Sequence, residues 1–487
     1  MTGCAARRIG MNIAKNAMIA FAAFLAGVGT VSAEERFEAG FARVDITPPI
    51  GTPLSGYYGR RVSDGVLDPL YARCLAVSDG KSRALVLSID NLHLYDRTFA
   101  AVRAEISRKT GLPLEAIFLA CTHTHTGPVS YVPTNAASSS VTVNLEDAAL
   151  TRESNRITAE GCAAAGVKAL ADLSPASIRM GRGVAKGISF IRRYRMKDGS
   201  VRTNPGVNNP NIDFAFGEPD EQLQLVRFVR EGKPEIALVN FQCHPDTISG
   251  TKISADWPGL SCGYLEAAMH GSVCAIFVNG AQGDTNHIRT KVAPGEVVPK
   301  RYEMAHHMAR VVAGAALAAW GTCAQVEAGK VSAKICGVKV TPNKGSPEEL
   351  KMAEERVALH KAGRSKEIPG AGMERTANIA AAYRMLEMRN VPDPAELKIS
   401  MVTIGKSLAF CGFPGEPFTW MGTELKAQSP FRMTVPACCV NGSRGYFPVK
   451  SAYTTGGYEN ATSRYKAGTA ERLVDGMLKE LNIAFGK

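Results

Sequence analysis

Residues 121–128 read CTHTHTGP and directly follow the apolar run AIFLA, in a chain of 487 residues with only nine histidines. Imidazole is the commonest metal ligand and the usual acid/base near neutral pH. If AIFLACTHTH is one strand, its alternation puts Cys121, His123 and His125 on one face. An HxH pair alone fits polar loop packing as well as it fits metal chemistry. Four further stretches place a polar group straight after an apolar run: NFQCHPDTIS with His244, ISADWPG with Asp256, FVNGAQGDTNH with Asp284, Asn286 and His287, and LAFCGFPGEPFTW with Glu416. Each has a plain structural reading, since Asp and Asn favour turns and caps. Asp256 before Trp257-Pro258 reads as a helix N-cap. Together, histidines and a glutamate at strand exits supply a zinc-type ligand set with an open position.

These groups need a frame. RALVLSIDNLHL reads as a strand, DRTFAAVRAEISRKTG as an amphipathic helix with a Gly stop, and AIFLACTHTH as the next strand. That is a β-α-β unit with a parallel pair. QLQLVRFVREGKPEIALVNFQCHP reads as a hairpin around EGKP, followed by a helix from WPGLSCGYLEAAMHG, a strand from VCAIFVNG and a long helix from RYEMAHHMARVVAGAALAAW. Residues 343–395 are charged and helical around the loop EIPGAGM, a helical excursion before strands resume at LKISMVTIGKSLAFCG. The sequence shows no internal repeat and no domain linker. The expected fold class is α/β: one large domain with mixed β-sheets flanked by helices.

The first forty residues carry Arg7, Arg8 and Lys15, an apolar run from Ala17 to about Val31, and Val31-Ser32-Ala33. This is the pattern of a cleavable signal peptide at 1–33, too short for a comfortable membrane span. It implies a secreted or periplasmic protein whose working domain is 34–487. The net charge is +12, but the basic residues are scattered. Only Arg192-Arg193 with Arg195 form a tight group. The balance reads as a solubilising surface, and no nucleic-acid partner is expected. Of the twelve cysteines, Cys4 lies in the leader and most others sit in apolar runs as small hydrophobes. Cys323 with Cys336, or one of the vicinal Cys438 and Cys439, are the disulfide candidates.

The segments FARVDITPPIGTPLSGY, THTHTGP, NFQCHP, SADWPG, VNGAQGD, FPGEPFT and GYFPVKSAYTTGGYE follow in this order from about residue 38 to about residue 465. As an ordered set they resemble the neutral/alkaline (non-lysosomal) ceramidase family. The resemblance implies a ceramidase N-terminal-domain-like fold and a zinc-dependent amidase acting on linear N-acyl amides. It maps the Zn²⁺ ligands onto His123, His244, Glu416 and Tyr446. It makes His125 substrate-facing and adds Arg192 and Tyr458 as catalytic groups for the oxyanion, with His125 the general acid. Asp284 then orients a loop. The implied partner is a small-molecule or lipid amide, with peripheral membrane contact left open.

One departure bears on mechanism. Where the family carries a serine in a G-D-x-S-P-N loop, this chain has Asn286 in Gly283-Asp284-Thr285-Asn286-His287. Asparagine cannot accept an acyl group, so a metal–water mechanism is expected, with a substrate other than ceramide in view. The chain ends soon after the matched segments, and no C-terminal immunoglobulin-like domain is expected. Two other readings compete: a binuclear amidohydrolase, and a non-catalytic exported lipid- or glycan-binding protein on the same fold.

Overall fold

The computed structural model describes residues 36–134 and 142–487. The leader expected at 1–33 lies outside them. Within 37–487, a single body, one four-strand plan occurs three times. In each, a first strand pairs with a hairpin, and the hairpin's second strand lies parallel to a strand reached through a helix.

The first unit comprises strands Glu38–Asp45, Tyr71–Ser78 and Arg83–Ile89, helix Asp96–Thr110, and strand Ile117–Cys121. The second comprises Ser174–Val184, Gln222–Arg230 and Glu235–Phe241, helix Asp256–Ala268, and strand Val273–Asn279. The third comprises Val331–Val340, Ala395–Ile404 and Leu408–Gly412, helix Thr419–Gln428, and strand Met433–Ala437. Units one and two join edge to edge through Glu38↔Pro175 and Ala39↔Ser174, giving a nine-stranded mixed sheet that also holds Ala324–Val326. Unit three is a separate four-stranded sheet. The topology therefore repeats where the sequence showed no repeat, because the units share only the order of hairpin, helix and strand.

The third and fourth strands of every unit are buried almost throughout. They read as continuous apolar runs because both of their faces are covered, which parallel pairs require. Ser88 Oγ donates to the Phe277 carbonyl at 2.6 Å, joining units one and two. The Asn240 amide donates to the Pro436 carbonyl at 3.0 Å, joining two and three. Phe118 and Phe410 meet at 6.2 Å between one and three. These ties bring the strand ends of all three units into one region, where chain exits rather than strands supply polar groups.

The helical excursion forms as expected, as helices Pro347–Lys361 and Met373–Met388 inside the first connection of unit three. The first helix starts on a Ser346 capping box with Pro at its first turn. Helix Ala148–Ala171 lies so close on Glu38–Asp45 that a Cβ at Gly40 would stand 2.1 Å from the Ala169 carbonyl oxygen. All eleven described cysteines are free thiols, so neither the Cys323–Cys336 pairing nor a bond to the vicinal pair is formed. Cys323 packs against helix Tyr302–Trp320, donating to the Ala319 carbonyl, while Cys336 lies on the third unit's first strand. No described helix is long and apolar enough to cross a membrane.

Candidate metal centre

The strand before CTHTHTGP stops at Cys121, so alternation does not place the two histidines. His123 instead adopts φ 74°, a left-handed conformation uncommon for any residue but glycine. It is held there from both sides: the His123 amide donates to the Asn91 carbonyl at 2.9 Å, and the His125 amide to the Pro245 carbonyl at 3.2 Å. Thr124 and Thr126 hydroxyls both donate to the Ser254 carbonyl, at 2.7 and 3.0 Å. The turn gathers the imidazoles of His123 and His125 at 5.2 Å and sets His244, from the exit of Glu235–Phe241, 4.8 Å from His123 and 5.2 Å from His125.

The tautomers are fixed for ligation. His123 Nδ1–H donates to the Leu92 carbonyl at 2.8 Å and His244 Nδ1–H to the Gln282 carbonyl at 3.2 Å. Each Nε2 lone pair is thereby left facing inward, as metal-ligating histidines require. Glu416 Oε2 stands 3.3 Å from His123 Nε2 and 3.4 Å from His244 Nε2, with no hydrogen-bond donor of its own. A tetrahedral zinc with bonds of about 2.0–2.2 Å sets neighbouring ligand atoms roughly 3.3–3.5 Å apart. Both separations from Glu416 already stand at those edge lengths. His125 is half-buried, with neither ring nitrogen partnered, and ligand atoms of His123, His125 and His244 all lie within 4.8 Å of one another. This buried cluster can bind a metal ion.

Electrostatics agree with the donor set. Burial raises the Glu416 carboxyl, but His123 and then Arg192 outweigh it and bring the pKa down to about 2. Burial and His123 lower His125 to about 3, and burial with Arg192 takes His244 well below its usual value. A carboxylate beside neutral imidazoles is the form that binds metal. Burial lowers His123, yet Glu416 overrides it and raises the ring.

Tyr446 reaches the cluster by a backbone bridge, Glu416↔Tyr446, which holds the two residues side by side. Its ring stacks 6.4 Å from His244, with the Arg192 guanidinium 5.2 Å above the ring centroid. The two adjacent arginines are told apart by their rings, since Arg193 lies over Phe216 and Phe418. Arg192 Nε donates to Glu459 at 2.7 Å and Nη2 to the Gly283 carbonyl at 2.9 Å. Tyr458 packs 5.6 Å from Tyr446 and donates to the Tyr58 hydroxyl at 3.3 Å. Burial raises both Tyr446 and Tyr458 well above an ordinary phenol, so each keeps its proton to donate.

Other nominated residues brace the site from outside it. Asp256 is not an N-cap. It is the first helical residue, at φ 54°. Its carboxylate accepts from the Thr247 and Ile248 amides at 3.1 and 3.4 Å and from the Trp257 amide at 2.6 Å, fixing the loop after His244. Asp284 accepts from the Thr419 amide and hydroxyl, both at 2.7 Å, and so anchors the segment that carries Glu416. Asn286 donates to Asn204 at 2.9 Å and does not line the cavity described below. His287 pairs with Asp246 at 3.0 Å.

Sequence reasoning missed Asn279, whose side chain joins two ligand loops by donating to the Thr122 carbonyl at 3.0 Å and the Cys243 carbonyl at 3.2 Å. A buried amide at the end of the apolar run AIFVN was the available signal. Asn279→Leu is expected to weaken metal affinity about 10–100-fold with the fold retained, as supporting partners of ligands do. Competition with a chromophoric chelator measures this, and unchanged affinity would count against the positioning role.

A cavity of about 230 Å³ opens over the cluster. His123, His125, Glu416, Tyr446 and Tyr458 line one side of it.

The N-terminal family model of the neutral/alkaline non-lysosomal ceramidases matches residues 37–354. Neutral ceramidase from Pseudomonas aeruginosa has a similar structure, with TM-score 0.70 and 18% identity over 92% of this chain and 74% of that one. A ceramidase complexed with C2 is similar at TM-score 0.69 and 17% identity, over 93% and 75%. No curated protein matches the chain. The likeness to the two solved structures is one of fold, and the family match spans the segments bearing His123, His125, Arg192 and His244. The chain therefore belongs to the neutral/alkaline non-lysosomal ceramidase family.

Proposed function

We propose that this protein is an exported zinc-dependent hydrolase of N-acyl amides, with residues 34–487 as its working domain after removal of a leader at 1–33. The observation that carries this reading is that Glu416 Oε2 stands 3.3 Å from His123 Nε2 and 3.4 Å from His244 Nε2. With Tyr446 beside Glu416, they form the set that would hold zinc. Zinc bound there supplies Lewis-acid polarisation of the amide carbonyl and of an attacking water.

The chain's own groups do the rest. Net hydrolysis joins the water oxygen to the acyl carbon and breaks the C–N bond, and the amine departs with a proton. His125, neutral and without another partner, lies where it can take that proton from water and hand it to the leaving nitrogen. Arg192 clamps the Tyr446 ring, and the Tyr458 hydroxyl faces the cavity as a donor to charge developing on the carbonyl oxygen. The carboxylate of Glu416 and the Nδ1–H bonds of both histidines keep the site rigid before substrate arrives.

Elemental analysis of the purified chain is expected to give one zinc, with amidase activity lost on chelation and restored by zinc. His125→Gln separates the two roles open to that residue. It is expected to keep the ion and lose activity about 10²–10⁴-fold, as loss of a general acid does. Loss of the ion from His125→Gln would make His125 a ligand, and a chelator-resistant amidase would overturn the zinc reading.

A further inference from the structure

Apart from the metal cluster, the wall of the cavity is unlike a lipid channel. It is built by Tyr58 and Tyr95 of unit one and, from unit three, Tyr383, Arg384 and Glu387 of helix Met373–Met388 with Arg464. Its about 230 Å³ falls below the ~300–1,000 Å³ of a pocket for a drug-sized ligand. Besides the Glu416 carboxylate of the metal cluster, two guanidiniums and one further carboxylate line this space. Arg464 pairs with Glu387. Arg384 is 7% exposed and has no carboxylate ion pair among the described residues. Its Nη1 and Nη2 donate to the Asn343 and Ala461 carbonyls at 2.9 and 3.2 Å, and its Nε has no acceptor.

A buried cation without a counter-ion is costly. Arg384 is held down further by burial and by the like charge of Arg464, while Glu349, Tyr453 and Glu387 attract it without touching it. The wall thus carries one guanidinium more than its carboxylate neutralises. Arg384 and Arg464 line the same small cavity as His123, His125 and Glu416, so the basic wall and the metal cluster stand within the reach of one small molecule.

Resting on the amidase reading above, we propose that the substrate is a compact amide bearing an anionic group, a carboxylate or its like, which seats against Arg384 and Arg464 while the amide lies over the metal cluster. Arg384 belongs to the connection between the first and second strands of unit three and Arg464 to the segment after its last strand, so charge selection resides apart from the residues proposed to hold the metal.

Matched substrates test this with the zinc-loaded full chain. N-Benzoylglycine against N-benzoylethanolamine places the charge on the amine side. N-Succinylbenzylamine against N-butanoylbenzylamine places it on the acyl side. In one arm the anionic member is expected to be favoured about 10–100-fold in kcat/KM, the scale of a charge-assisted contact. Arg384→Met is expected to bring that ratio close to one. Glu387→Gln, on a half-exposed side chain, frees Arg464 and is expected to raise the ratio. Calorimetry on the zinc-loaded His125→Gln protein reads binding of the same pairs with turnover suppressed and is expected to keep the anion preference. Chelator-sensitive hydrolysis with no charge preference in either arm would overturn the anion proposal and leave the amidase reading standing. Anion-selective binding with no hydrolysis would do the reverse. Preference unchanged by both Arg384→Met and Glu387→Gln would also overturn the assignment to this wall.

Discussion

Glu416→Gln is expected to abolish zinc retention and to cut amidase activity by at least about 10³-fold, or about 4 kcal/mol of transition-state stabilisation. The substitution keeps shape and volume but removes the charge that draws His123 and His244 to one point. The carboxylate is already ionised far below neutral pH, so at pH 7 the native site offers a full negative charge that Gln cannot. Sign follows from the same groups. Protons and metal compete for His123 and Glu416, so acid releases the ion and raising the pH towards neutral restores binding. Equal zinc content in Glu416→Gln and the native chain, measured after dialysis, would remove Glu416 from the ligand set.

Glu459→Gln has the largest expected effect on stability, a loss of about 3–5 kcal/mol, because it strips the counter-ion from two buried arginines at once. Glu459 is fully buried and accepts from Arg192 Nε at 2.7 Å and from the Thr203 hydroxyl at 3.0 Å, with Arg193 at 3.5 Å. Arg192 in turn covers the Tyr446 ring, so lost stability should come with lost activity. Thermal unfolding reads the first and kcat the second. A melting temperature within a degree of the native chain would show that the pair contributes little.

His123, His244 and Glu416 were legible in the sequence because each follows an apolar run that could only be a buried strand. The reason they meet was not. Alternation along AIFLACTHTH assigned His123 and His125 to a strand face, whereas a left-handed turn at His123, held by backbone bonds from two other segments, gathers them. Such a turn depends on partners far away in the chain and leaves no local mark. Tyr446 came only through the family resemblance, since eight residues separate it from the end of the preceding strand, Met433–Ala437, and no period reaches that far. The helical character of 343–395 was plain from its charge and periodicity. Its position over the cavity depends on the packing of helix Met373–Met388 against the segment around Tyr458–Ala461, which pattern cannot show. Glu459 was passed over because a glutamate in a Gly-rich stretch looks exposed until its two arginines are placed.

On the ligand set proposed above, the ligands come from three like units. A chain emerging from its N-terminus presents His123, His125 and His244 long before Glu416 exists, and the imidazoles alone lack the carboxylate charge of the finished site. The centre closes only when the last unit has docked on the first two. An ion bound to the finished site and not to earlier forms pulls the folding equilibrium towards completion, so metal supply in the compartment of folding sets the yield of intact protein as well as its activity. Truncation anywhere before Glu416 would then give a product lacking both the ion and the drive to fold.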